Sequence, residues 1–293
     1  MQDNELQVEF DLLEKSDLRD VSDEDLWERI RKIHAGFSFS SRILRPGVSI
    51  YRAVRVSERP RYISRLSYPP ADRVTVRGRL NPAGQVMFYG TIDAGNEYAA
   101  CLYECHRKVG DLFAVSHWSI TKPFLANHLG YSRNLIRTRN PSREFPEGTE
   151  LPNQTNRGRL IREWQSRVFT KLVPEGSEHL YQITNALTSF ALSPIIQPDK
   201  SLPQEFAGVI YPTLAVNFID DNIALLPKIV DSSLALVDVG LIRIPAMEDI
   251  TSEGVVKGEK NYIEIVDTAH EFRRDGRIVW NRESTAMSVS PWR

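Results

Sequence analysis

The chain has 293 residues, 41% of them hydrophobic and 26% charged, which is the composition of a folded globular protein and excludes a disordered or fibrous one. Its 37 basic and 38 acidic residues leave a formal net charge of -1, so no global field holds it on a nucleic-acid backbone or an anionic membrane, and direct nucleic-acid binding is not expected. No stretch approaches the roughly 20 apolar residues of a membrane span, and residues 1–14 are polar and acidic without an apolar run, so neither signal peptide nor anchor is expected.

In chain order, residues up to about 36 read as helical. Ser22-Asp23-Glu24-Asp25 suits a helix start, and Leu26, Ile30 and Ile33 follow at helical spacing. A β-like run over 48–54 leads into a long loop containing Pro60, Pro69 and Pro70. The turn Asn81-Pro82-Ala83-Gly84 introduces a buried strand over 85–90, and a helix is expected over 96–109 with Gly110 at its end. Residues 113–118 read as a strand, and 133–156, rich in Arg, Pro, Asn and Gly, as a surface excursion. Helices are expected over 157–172 and 177–192. The last third reads as strands at 208–211, 222–226 and 235–244, followed by a hairpin of 261–272 and 277–280 around Arg274-Asp275-Gly276. There is no internal repeat.

Three segments carry the chemistry: Tyr51-Arg52-Ala53-Val54-Arg55; Arg77-Gly78-Arg79-Leu80-Asn81-Pro82-Ala83-Gly84-Gln85-Val86-Met87-Phe88-Tyr89-Gly90; and Ala99-Ala100-Cys101-Leu102-Tyr103-Glu104. A fourth is Gly208-Val209-Ile210-Tyr211-Pro212-Thr213 with Asn222-Ile223-Ala224-Leu225. Their order and content resemble the RES domain, with its Tyr-Arg start, Gly-Arg-x-Asn turn, apolar strand ending in Tyr, Ala-x-x-x-Glu helix and Gly-x-x-Tyr-Pro-Ser element. The resemblance spans residues 48–230. No single motif is specific; the weight lies in four standing in the right order.

That resemblance implies an α+β fold, an ADP-ribosyltransferase-like mixed or antiparallel sheet core with flanking helices. It divides the chain into an N-terminal helical extension (1–47), a RES-like NAD-binding catalytic core (48–230) and a strand-rich part (231–293) packed on the same domain. It also implies an NAD-consuming enzyme that cleaves the nicotinamide–ribose bond, as a glycohydrolase, phosphorylase or ADP-ribosyltransferase, with NAD as substrate and no resident cofactor. Such proteins commonly act as toxins of toxin–antitoxin pairs, so an antitoxin covering the site is an implied partner. The Arg, Glu and Ser for which the family is named fall on Arg79, Glu104 and Thr213, the last a departure that keeps the hydroxyl and adds a methyl. The Tyr89-to-Glu104 spacing is also long, as if residues 91–96 held an insertion.

The residue types suit a dinucleotide independently. Arg52 and Arg79 can clamp a pyrophosphate, Glu104 can stabilise an oxocarbenium-like ribose or orient its acceptor, Tyr89 can stack, and Asn81 and Thr213 can orient by hydrogen bonds. The catalytic candidates are therefore Glu104, Arg79 and Tyr89, and the binding candidates Arg52, Asn81 and Thr213. No Gly-x-Gly-x-x-Gly supports hydride transfer.

Plainer readings compete. Arg79 alone is a turn arginine, Glu104 a solvated helix residue, Tyr89 a core aromatic and Thr213 a turn residue. Cys101 and Cys105 at helical spacing suit neither a disulfide nor a zinc site, and a reduced pair favours the cytoplasm. His117 beside Ser116 and Ser119 suggests no hydrolase, because adjacent strand residues face opposite ways and no Gly-x-Ser-x-Gly is present. The basic run Arg133, Arg137, Arg139, Arg143 is followed by Glu144 and Glu147, as in a solvated loop. The competing function is a non-catalytic RES-like module that binds a nucleotide or partner; an unrelated α+β binding protein would lack convergence of the named side chains. Oligomeric state is not set by the sequence.

Overall fold

The computed structural model describes residues 2–92, 99–139, 155–193, 205–214, 220–244 and 263–281. Two helices open the chain, α1 (Asp3–Lys15) and α2 (Asp23–Ile33). The expected start of α2 is present: the Ser22 hydroxyl accepts from the Asp25 N–H, and Leu26, Ile30 and Ile33 are buried. The strands that follow are β1 (Ser41–Leu44), β2 (Ser49–Val56), β3 (Phe88–Ile92), β4 (Leu112–Ile120), β5 (Phe124–His128), β6 (Phe206–Pro212), β7 (Asp221–Leu225), β8 (Leu234–Arg243), β9 (Glu264–Ala269), β10 (Glu271–Phe272) and β11 (Ile278–Val279). Helices α3 (Ala99–Glu104), α4 (Arg133–Arg139), α5 (Asn156–Thr170), α6 (Gln182–Ala191) and α7 (Pro227–Ser233) are interspersed.

The fold is α+β. Among the described residues nine strands form one sheet in the order β1-β5-β6-β7-β3-β2-β4-β8-β9, antiparallel except for the parallel β5–β6 pair. The sheet runs from β1, before residue 48, to β9, after residue 231, so all three stretches of chain share it. Both faces are covered. On one, α1, α2, α5 and α6 bury Phe10, Ile30, Trp164 and Leu187 against Val209, Tyr211 and Ala224. On the other, Ile63, Ile136, Val230 and Ile278 close over Ile50, Phe88, Trp118 and Ile223. A third cluster packs Cys101 and Leu102 of α3 on Tyr51, Phe113, Val115 and Ile242. Burial at this scale is the main stabilising term.

Several expectations need correction. The strand expected over 85–90 begins only at Phe88, because the Gln85 N–H donates to Pro82 O and the Gln85 carbonyl accepts from Asn81 Nδ2, which keeps 82–85 in a turn. The helix expected over 96–109 is described only as Ala99–Glu104. Arg55 Nη2 takes the Cys105 and His106 carbonyls and His106 adopts φ 47°, so the chain leaves the helix before Gly110. Residues 96–98 lie outside the described residues, as do 93–96 of the inferred insertion and Arg143, Glu144 and Glu147. The excursion after Arg133 begins as α4, with Ile136 buried. The expected hairpin around Arg274-Asp275-Gly276 reduces to two paired residues on each side, Glu271 with Val279 and Phe272 with Ile278, while β9 joins the main sheet instead. The long loop after β2 is pinned by this hairpin: Ile63 N donates to Gly276 O and Trp280 Nε1 to Pro60 O.

Candidate functional site

Of the six candidate residues, Arg52, Tyr89, Asn81 and Arg79 lie around the point where the sheet divides. β2 and β3 pair through only two positions, Ile50 with Ile92 and Tyr51 with Thr91. Beyond them β2 follows β4 from Ser49 to Val56, while β3 follows β7 back to Phe88. Residues 52–56 of one strand and 88–90 of the other therefore diverge, and the sheet opens into a wedge.

Arg52 spans this wedge. Its Nη1 donates to Tyr89 O at 2.7 Å and its Nε to Ser67 O at 3.1 Å, and the guanidinium lies 5.2 Å over the Phe88 ring. Burial pulls its pKa down to about 10, with Cys105 and Tyr89 acting the other way, so it stays a cation near neutral pH. No carboxylate pairs with it among the described residues. A desolvated cation whose partners are carbonyls and an aromatic face is a site that an anion stabilises.

Arg79 stands on the turn that precedes β3. Its Nη1 donates to Phe169 O and its guanidinium packs 5.4 Å over the Tyr181 ring, which leaves Nε and Nη2 without a protein acceptor among the described residues. The turn is locked from within. The Tyr89 hydroxyl accepts from Leu80 N at 3.1 Å and donates to Asn81 Oδ1 at 2.5 Å, while Asn81 Nδ2 donates to the carbonyls of Pro82 and Gln85. Gly78 is required here, since a Cβ would sit 2.5 Å from Asn81 Oδ1 and 3.2 Å from the Tyr89 hydroxyl. From α6, Thr184 and Asn185 hold the Arg79 carbonyl, tying the turn to the helical layer.

Glu104 ends α3 and accepts from Leu214 N at 2.9 Å, joining that helix to the end of β6. It also lies close enough to Tyr211 to help raise that phenol's pKa, although burial is the larger cause. Tyr89 is likewise raised, chiefly by burial, so both phenols are neutral donors at ordinary pH and neither is a base.

Comparison of the chain with family models, with curated proteins and with solved structures returns no match. Geometry alone therefore sorts the six residues. Arg52, Tyr89 and Asn81 are joined by hydrogen bonds, Arg79 stands on the same turn, and Glu104 approaches Tyr211, which also neighbours Tyr89 and Arg79. Thr213 does not open onto the wedge: it is fully buried, and its hydroxyl donates to Asp220 O at 3.0 Å, closing the β6–β7 connection. Asn81 is also engaged by the protein, as the partner that fixes Tyr89.

Two residues at the site were not among the six. Tyr211, within Gly-Val-Ile-Tyr-Pro-Thr, shares electrostatic contacts with Glu104, Tyr89 and Arg79, and its hydroxyl has no hydrogen-bond partner among the described residues. Its signal was alternation along β6, which puts it on the face of Val209 against the α5–α6 layer. Tyr181, the platform under Arg79, comes from the 3-10 turn Glu178–Tyr181 and gives no sequence signal. Among the described residues no group of three or more His, Cys, Asp and Glu side chains is arranged to hold a metal, and no described helix is long and apolar enough to cross a membrane.

Proposed function

We propose that the protein consumes NAD by cleaving its nicotinamide–ribose bond, and that the wedge between β2 and β3 is the site. The observation that carries this reading is that Arg52, which bridges the wedge, and Arg79, on the turn that leads into β3, each keep a donor without an acidic partner among the described residues. Two guanidiniums with unused donors suit the two charges of a pyrophosphate. Tyr211 offers a free hydroxyl to ribose or nicotinamide. Glu104 is the carboxylate of the group. When the C1′–N bond breaks, its electron pair leaves with nicotinamide and the ribose becomes oxocarbenium-like; Glu104 stabilises that charge or orients the acceptor, which is water, phosphate or a protein side chain. The RES-like motif order points the same way, and with it come an ADP-ribosyltransferase-like fold, a toxin role in the cytoplasm and an antitoxin covering the wedge.

A second reading, a module that binds a nucleotide without turning it over, is favoured by the engagement of Asn81 and Thr213 within the protein. One experiment separates the two. Purified protein is incubated with NAD, with and without phosphate, beside Glu104→Gln, and nicotinamide release is followed by chromatography. Release that the variant loses supports turnover, and dependence on phosphate identifies phosphorolysis. Binding without release by the wild type supports the module, and absence of binding refutes both.

A further inference from the structure

On the half of the sheet that lies beyond the wedge, three polar side chains from three neighbouring strands form a chain that the NAD reading does not use. Ser49 Oγ of β2 is 2.9 Å from His117 Nε2 of β4, and His117 Nδ1 is 3.0 Å from Asp238 Oδ2 of β8. A carboxylate only accepts, so in the neutral imidazole Nδ1 carries the proton and Nε2 offers its lone pair; Ser49 must then be the donor. That polarity is the one an activated serine requires, and such triads are recognised by geometry rather than by order along the chain. We infer that Ser49, His117 and Asp238 form a second, hydrolytic site acting on esters of short aliphatic acids.

The surrounding structure is built for this alignment. Tyr51, on the same strand as Ser49, stacks on the imidazole at 4.8 Å between centroids and 19° between planes, which fixes the ring. A β-bulge inserts Val237 between Asp238, opposite His117, and Leu236, opposite Trp118, and so sets the carboxylate level with the imidazole. The group is reachable, with His117 and Asp238 side chains 18% and 21% exposed. Beside it Ala235 and Val237 are exposed and apolar, a surface for a short acyl chain. The serines adjacent to His117 in sequence are not the partners. Ser116 lies on the other face, donating to Arg52 O and accepting from Trp118 Nε1, and Ser119 is placed across from Ser49 in the register.

In the reaction Ser49 Oγ bonds to the ester carbonyl carbon while its proton passes to His117 Nε2. The C–O bond to the alcohol then breaks, and the leaving oxygen takes that proton. Water attacks the acyl-Ser49 carbonyl, giving its proton to Nε2; the acid departs as Ser49 Oγ recovers the proton. Asp238 acts through His117 as a positioning residue.

The test is hydrolysis of p-nitrophenyl acetate and butyrate, with fluorophosphonate labelling mapped by peptide mass spectrometry, on the wild type, Ser49→Ala, Ser119→Ala, Asp238→Asn and Asp238→Glu, each checked for folding by circular dichroism. The expected result is label on Ser49, loss of label and of roughly 10³–10⁴-fold in kcat in Ser49→Ala and Asp238→Asn, partial rescue by Asp238→Glu, and wild-type rates in Ser119→Ala. Rates in folded Ser49→Ala equal to wild type, label on another residue, or a wild type that neither hydrolyses nor labels overturns the inference. The NAD reading stands or falls separately, since no residue is shared.

Discussion

The Tyr89 hydroxyl is the pin of the Arg79 turn, and Tyr89→Phe removes it while keeping the ring. Two groups lose their partner, the Leu80 N–H and Asn81 Oδ1, in residues only 1% and 4% exposed. Orphaning a buried polar group costs about 1–3 kcal/mol, so the variant should be destabilised by roughly 2–5 kcal/mol. With an unfolding entropy of about 2.1 cal/mol/K per residue, 293 residues give roughly 0.6 kcal/mol/K and a Tm lowered by about 3–8 °C. Differential scanning calorimetry measures this, and urea titration supplies the free energy independently. A cycle with Asn81→Leu should show a coupling of about 1–2 kcal/mol, because each substitution breaks the same 2.5 Å bond. A Tm within 1 °C of wild type, or strictly additive losses, would refute the claim that this pair holds the turn.

Two further outcomes follow from the same structure. His34 is buried, donates Nδ1–H to Ile30 O and accepts at Nε2 from Gln165, and burial depresses its pKa to about 4; with an unfolded value near 6.5, its neutral form contributes stability that is intact above pH 6.5 and falls by about 3 kcal/mol as pH drops toward 4, a slope that urea titrations should find flattened in His34→Gln. In Gly208→Ala the new Cβ would lie 2.0 Å from Ala224 O in the β6–β7 pair, so the strands must part and the loss should reach at least about 3 kcal/mol, whereas Gly240→Ala, whose Cβ meets only Ile242 at 3.9 Å, should unfold near the wild-type denaturant midpoint.

What was legible in the sequence were features whose cause is local. Ser22 before Leu26, Ile30 and Ile33 announces α2, and the strand-like runs of 113–118 and 235–244 announce β4 and β8. What was hidden depends on partners far along the chain. β5 reads Phe-Leu-Ala-Asn-His, and its buried Asn127 is acceptable only because Ser41 and the Ala191 carbonyl satisfy it. Of the candidate site, Arg52, Arg79, Tyr89 and Glu104 were visible as a motif order, but composition says nothing of Tyr181 arriving beneath Arg79 from a turn 102 residues later. The same blindness applies to Ser49 and Asp238: His117 was weighed against its sequence neighbours, while its partners are neighbours only across the sheet.

The wedge itself explains why Arg52 is both structural and available. When two strands diverge, the main-chain groups along the opened edges lose their ladder partners. Arg52 restores part of that loss by donating to Tyr89 O on the far strand, in place of one ladder donor, and it also holds Ser67 O on the loop above. A neutral side chain of the same length would offer the carbonyls fewer donors, and a lysine, a point charge without the planar fork, would not reach both in one plane. The guanidinium is thus required by the opening itself, and its charge is uncompensated by a carboxylate among the described residues, which is the feature the proposed anionic ligand would use. On the proposed reading, ligand binding and the integrity of the wedge are for this reason tied to one residue, and substitutions at Arg79, which does not bridge the two strands, separate them more cleanly.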